Sequence, residues 1–228
     1  LSSRQLKRQV RQALEADDWR KRLEELAGKG GRVSQAFITA LLAALSSGQS
    51  IVRWRAVCFL GRALAGLAQA DPEAARQVMR RLVWGLNEES GAVAWGAPEA
   101  LGEIMAQSPL LANEFANLLI AYVSDCDLAL DFAPLRAGAA WGLGRLCQAR
   151  PRLMRERCAE EALLALSREE DPQVRGYAVW ALGWLGGQAA VERLNQLTAD
   201  QGALQLFFDH ELHNVSVGQL AARALKRL

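Results

Sequence analysis

The chain has 228 residues, 51% hydrophobic and 23% charged, with a net charge of +2. That is enough apolar sequence to bury a large core. The near-balance of charge argues against a dedicated nucleic-acid binder, which carries a larger basic excess, and no apolar run approaches the length of a membrane span. Only four of the 27 basic residues are Lys (Lys7, Lys21, Lys29 and Lys226). Genome composition explains such a bias, and so would selection of Arg for bidentate recognition of carboxylate or phosphate.

Taken in chain order, residues 1–32 are expected to form an N-terminal helical cap of two short amphipathic helices. Their polar start does not resemble a signal peptide, and the chain begins at Leu1, as a trimmed N-terminus would. Residues 33–200 then repeat. Aligned on a Leu-Gly pair, "SIVRWRAVCFLGRAL", "GAVAWGAPEALGEIM", "APLRAGAAWGLGRLC" and "PQVRGYAVWALGWLG" place Leu60, Leu101, Leu143 and Leu182 in register. The spacing of about 40 residues suits two-helix repeats. Val52, Val93, Leu135 and Val174, with Ala56, Ala97, Ala139 and Ala178, fall on the same helical side as the Leu and form the core stripe.

Each of these helices is preceded by another apolar helix, within "RVSQAFITALLAAL", "PEAARQVMRRLVWGL", "PLLANEFANLLIAYV" and "PRLMRERCAEEALLAL". Asp71-Pro72, Ser108-Pro109 and Asp171-Pro172 set a capping side chain before a Pro at the helix start. Residues 201–228 end the chain differently. "LQLFFDHELHNVSV" alternates around a polar tip and predicts a β-hairpin. Ser216 and Gln219 predict a capping box on a last helix. The expected fold is an all-α superhelix with a short hairpin and capping helix, one continuous domain.

The fourth segment, "DPQVRGYAVWALGWLGG", resembles the HEAT-like repeat of phycobilisome-lyase-type and many bacterial scaffold proteins. Their pattern matches at Asp171, Val174, Arg175, Ala178, Ala181, Leu182 and Gly183. The resemblance covers residues 33 to 200 and implies a binding surface more than a chemistry. The second repeat departs from the pattern, with Ala94 in place of the Arg and Pro98 inside the expected helix. A Pro there predicts a kink near Gly96-Ala97-Pro98 that frees the carbonyl of Ala94. Ser90 is expected to cap this helix, Asn87 and Gly91 to turn before it, and Glu88 and Glu89 to suit its dipole.

Two columns lie off the core stripe: Cys58, Glu99, Trp141 and Trp180, then Arg62, Glu103, Arg145 and Trp184. By the resemblance, this face looks into a concave groove. With Trp95, these Trp, Arg and Glu residues form the candidate binding groove, a combination enriched at binding hot spots. The structural alternative is an Arg62–Glu103–Arg145 salt ladder, with the Trp side chains packed on one another or under the hairpin. Glu99 and Glu103 pair at i, i+4, but no third ligand accompanies them, and the two His (His210 and His213) are distant. Cys58, Cys126, Cys147 and Cys158 fit neither zinc nor disulfide spacing and suit a cytoplasmic protein. No catalytic residue, metal or cofactor is expected.

A non-enzymatic scaffold gripping a protein or peptide is therefore the leading expectation. One alternative is an enzyme of the HEAT-like DNA-glycosylase kind, using Trp95, Glu99, Arg145 and Trp184. Another is a lyase or chaperone handling a protein-bound cofactor.

Overall fold

A computed structural model describes residues 2–28, 33–87, 94–124 and 127–228. The expected turn and cap at Glu88 to Val93, and Cys126, lie outside these residues. The described residues form thirteen helices and one two-stranded sheet. They group into two compact units, Leu1–Leu111 and Ala112–Leu228.

The first unit contains α1 (Ser3–Glu15), α2 (Trp19–Ala27), α3 (Gln35–Ala44), α4 (Ser50–Ala70), α5 (Pro72–Leu86) and α6 (Ala97–Gln107). Ser2 and Gln5 close a capping box on α1, whose buried Val10, Ala13 and Leu14 pack on α3 and α4. Asp71 caps α5 by accepting from the amide of Ala74 at 3.0 Å, with Pro72 in the first turn as predicted. Helix α7 (Pro109–Ala121) begins beside Ser108, whose hydroxyl accepts from the Leu111 amide.

The second unit continues with α8 (Ala133–Ala149), α9 (Pro151–Glu156), α10 (Ala159–Leu166), α11 (Pro172–Leu185) and α12 (Gln188–Gln196). It closes with β1 (Ala203–Phe208), β2 (Glu211–Ser216) and α13 (Val217–Leu225). The strands pair antiparallel, from Ala203 opposite Ser216 to Phe208 opposite Glu211. Asp209 (φ 49°) and His210 (φ 68°) are both left-handed, the two-residue turn that matches strand twist. The Ser216–Gln219 capping box is present on α13.

Every described member of the core stripe is buried, with Val52, Ala56 and Leu60 wholly shielded. The Gly of the Leu-Gly pair has its own purpose: it is where another helix comes closest. A Cβ on Gly61 would meet the Glu103 side chain at 2.7 Å, one on Gly144 would run into the Trp180 ring, and one on Gly183 into Ala224. Small residues at these crossings set α4 on α6, α8 on α11 and α11 on α13.

Two expectations need correction. The second repeat's helix is not kinked at Pro98, because it starts there. Gly96 is left-handed (φ 72°) and stands at the N-cap, Ala97 and Pro98 open the first turn, and the Ala97 amide donates to the Ala94 carbonyl at 3.1 Å. At the start of a helix the missing Pro N–H costs nothing. The helix expected across "PRLMRERCAEEALLAL" is likewise two helices, α9 and α10. They are broken at Cys158, a non-Gly residue with φ 54°.

Candidate functional site

In the second unit, the Trp column faces the chain's own hairpin. Trp141 is 1% exposed and donates its indole N–H to the Phe207 carbonyl at 3.0 Å. Its ring stacks with Trp180 at 6.3 Å, and Trp180 meets Phe208 edge-on at 6.2 Å. The Tyr177 hydroxyl donates to the Gln205 carbonyl at 2.7 Å. Both indoles are therefore floor for β1, and neither is open to a partner. Trp184 is half-buried under Arg227, whose guanidinium lies 3.6 Å from the ring centre. Arg145 donates to Gln148.

The first unit holds the other candidates. Arg62 is drawn away from Glu103 and pairs with Glu24 at 2.6 Å on the exposed surface, so this limb of the expected ladder does not form. Glu103, 4% exposed, lies over Gly61 and accepts from Gln107 at 2.6 Å. Glu99 is half-buried as a residue, but its Oε2 is shut off from solvent with no hydrogen-bond partner among the described residues. Burial raises its carboxyl to about 7, although its own backbone amide and the Arg53 charge both act to lower it.

Trp95 is different. It is 39% exposed and lines a cleft of ≈ 220 Å³ with Lys7 of α1, Leu42 and Leu45 at the end of α3, Arg81 and Gly85 of α5, and Ala97. Trp84, beside Gly85, is 69% exposed. Lys7, Arg81 and Trp84 were absent from the sequence-based candidate groove. A signal for them existed: Arg81 and Trp84 share the polar side of α5 at i, i+3, away from buried Val78 and Leu82.

The Arg that recurs after the stripe's apolar residue has a structural explanation. Arg175 holds Asp200 at 2.7 Å and the carbonyls of Glu169 and Glu170, and this bonding lowers the Asp200 carboxyl below its ordinary range. Arg136 reaches Glu169 at 3.4 Å. Arg53 packs its stem where a Gly96 Cβ would stand, at 3.3 Å. Arg136 and Arg175 thus tie α8 and α11 to the loop that contains Glu169, and Arg175 also reaches Asp200 beyond α12.

The HEAT-like repeat family matches residues 133–183, the span from α8 through the Leu-Gly pair of α11. Those residues are a HEAT-like repeat. An uncharacterised protein of Archaeoglobus fulgidus is 32% identical over 98 residues, 43% of this chain and 47% of that protein, so the match spans under half the relative's length. Solved repeat proteins share the fold across nearly the whole chain. A designed armadillo repeat protein in complex with a (KR)4 peptide has a TM-score of 0.52 at 20% identity, covering 96% of this chain and 98% of its own. A second designed armadillo repeat protein has a TM-score of 0.51 at 17% identity, with the same coverage. Among the described residues, no helix is long and apolar enough to cross a membrane, and no cluster of side chains suits a metal ion.

Proposed function

We propose that this protein is a non-enzymatic scaffold that binds a protein or peptide on its first unit, at the cleft beside Trp84 and Trp95. The carrying observation is the exposure of two indoles, Trp95 (39%) in the wall of a concave site and Trp84 (69%) next in sequence to its lining residue Gly85, in a chain that buries Trp19, Trp54, Trp141 and Trp180. Large aromatic side chains left in water next to a pocket are the usual anchors of an interface. A designed armadillo repeat protein of the same fold is solved with a peptide bound, which supports the same use of such a surface here. Of the sequence-derived groove residues, Trp95 carries this reading. Trp141 and Trp180 support the hairpin instead.

Two observations weigh against a glycosylase-like enzyme built on Trp95, Glu99, Arg145 and Trp184. The Glu99 Oε2 is closed to solvent, and the Trp184 ring is covered by Arg227. The cofactor-handling alternative rests on the phycobilisome-lyase-like pattern of the fourth repeat alone.

The test is selection from a random peptide library on the immobilised full chain. Enriched peptides should bind the wild type and lose most of their affinity for Trp84→Ala/Trp95→Ala, while far-UV circular dichroism shows the variant still folded at the assay temperature. Failure to enrich any peptide over an unrelated helical repeat protein, or equal binding by the double variant, would overturn the proposal.

A further inference from the structure

The cleft carries cations that the described residues leave unpaired. Lys7 and Arg81 both line it and both are exposed. Among the described residues, neither has an acidic partner. The acids on their own helices are engaged elsewhere: Glu15 pairs with Arg11 at 3.1 Å, and Glu73 pairs with Arg76 and Arg80. Arg4 precedes Lys7 by three residues on the same side of α1, outside the lining of the cleft. The floor between the two cations is apolar, formed by Leu42, Ala43 and Leu45, and Trp95 stands at its edge.

We infer that this cleft takes an acidic peptide segment bearing an apolar side chain, with its carboxylates on Lys7 and Arg81 and its apolar group on the floor beside Trp95. The inference rests on the scaffold reading and names the partner's chemistry. A guanidinium forks onto a carboxylate through two parallel hydrogen bonds, and cations around a concave apolar wall focus their field into it. The cleft, at ≈ 220 Å³, has room for one or two side chains and is smaller than the usual cofactor pocket of about 300 Å³ or more. A nucleic acid would need a longer run of phosphate contacts than two cations and an apolar floor offer, and the chain's net charge is only +2.

The peptides enriched by library selection provide the probe. Their sequences should be rich in Asp and Glu around a Leu, Phe or similar residue. The most enriched peptide is then compared by fluorescence anisotropy with an analogue in which every Asp and Glu becomes Asn or Gln, and with a short single-stranded DNA. The acidic peptide should bind about tenfold or more tightly than its neutral analogue, and its affinity should fall as salt rises. Lys7→Glu/Arg81→Glu should lose that preference, and the milder Lys7→Gln/Arg81→Gln should lose part of it, with far-UV circular dichroism unchanged in both. Enriched peptides without acidic bias, or a neutral analogue that binds as well, would sink the acidic assignment while leaving the scaffold reading intact. No enriched peptide at all would remove both. Tighter binding of the DNA through the same two cations would replace the peptide assignment with a phosphate-binding one.

Discussion

Glu99 stands at the third position of α6, where the helix N-terminus favours a negative charge, yet its carboxyl is raised to about 7. Loss of hydration outweighs both the backbone amide and Arg53. The ordinary value is 4.5, so between these limits the folded chain holds a proton that the unfolded chain releases. The stability contributed by the neutral acid is fully present below pH 4.5 and is lost as pH rises through 7. Glu99→Gln keeps an uncharged group of the same shape and should remove this dependence, leaving the variant about 1–3 kcal/mol more stable than wild type at pH 8. Denaturant titrations from pH 4 to 8 check it, and parallel profiles for the two proteins would refute it. Gly144 makes a second prediction at this scale. A methyl there meets the Trp180 ring, which is packed between Trp141 and Phe208 with little room to move. Gly144→Ala should cost about 1–3 kcal/mol despite the better helix propensity of Ala; a stabilised variant in thermal melts would show that the crossing has slack.

At the scale of elements, the hairpin is fastened by side chains that donate to backbone carbonyls of β1. Trp141→Phe keeps the ring stacking but leaves the Phe207 carbonyl without its indole donor, and should cost about 1–3 kcal/mol in urea unfolding. No loss would mean that the carbonyl finds water at once. These contacts also explain what was legible in the sequence. The repeat register, the Asp71 and Asp171 caps, the hairpin and its Ser216–Gln219 box are encoded within a few residues each, and all were predicted. The cover over Trp141 and Trp180 matches the structural alternative of packing on one another and under the hairpin; periodicity could not choose it over an open groove, because the covering residue lies 66 positions from Trp141. The same limit applied at Pro98. The apolar period runs on across residues 91–107, so a continuous kinked helix was expected, whereas a left-handed Gly96 ends the preceding turn and lets Pro98 start a new helix. The cleft was half legible: Trp95 was named, but Lys7 and Arg81 come from helices outside the aligned set.

At the scale of the whole molecule, stability in a helical repeat protein is approximately a sum of local repeat energies and nearest-neighbour terms. Here the pairs α8–α11, α10–α11, α11–α13 and α12–α13 all fall in the second unit, and α1–α3, α3–α4 and α4–α6 all fall in the first. Leu182, wholly buried on α11, is central to the first group. Leu182→Ala should cost about 2–5 kcal/mol through lost burial and the cavity left behind. That loss should remain local: hydrogen exchange followed by mass spectrometry should speed up in peptides from α8 to α13, including both strands, while peptides from α1 to α4 keep their wild-type protection. A uniform rise across the chain would mean that both units open in one cooperative step, and the additive description would then not hold. If exchange stays local, the cleft beside Trp95 should also survive the substitution, so peptide affinity measured on Leu182→Ala should match wild type wherever the first unit remains protected.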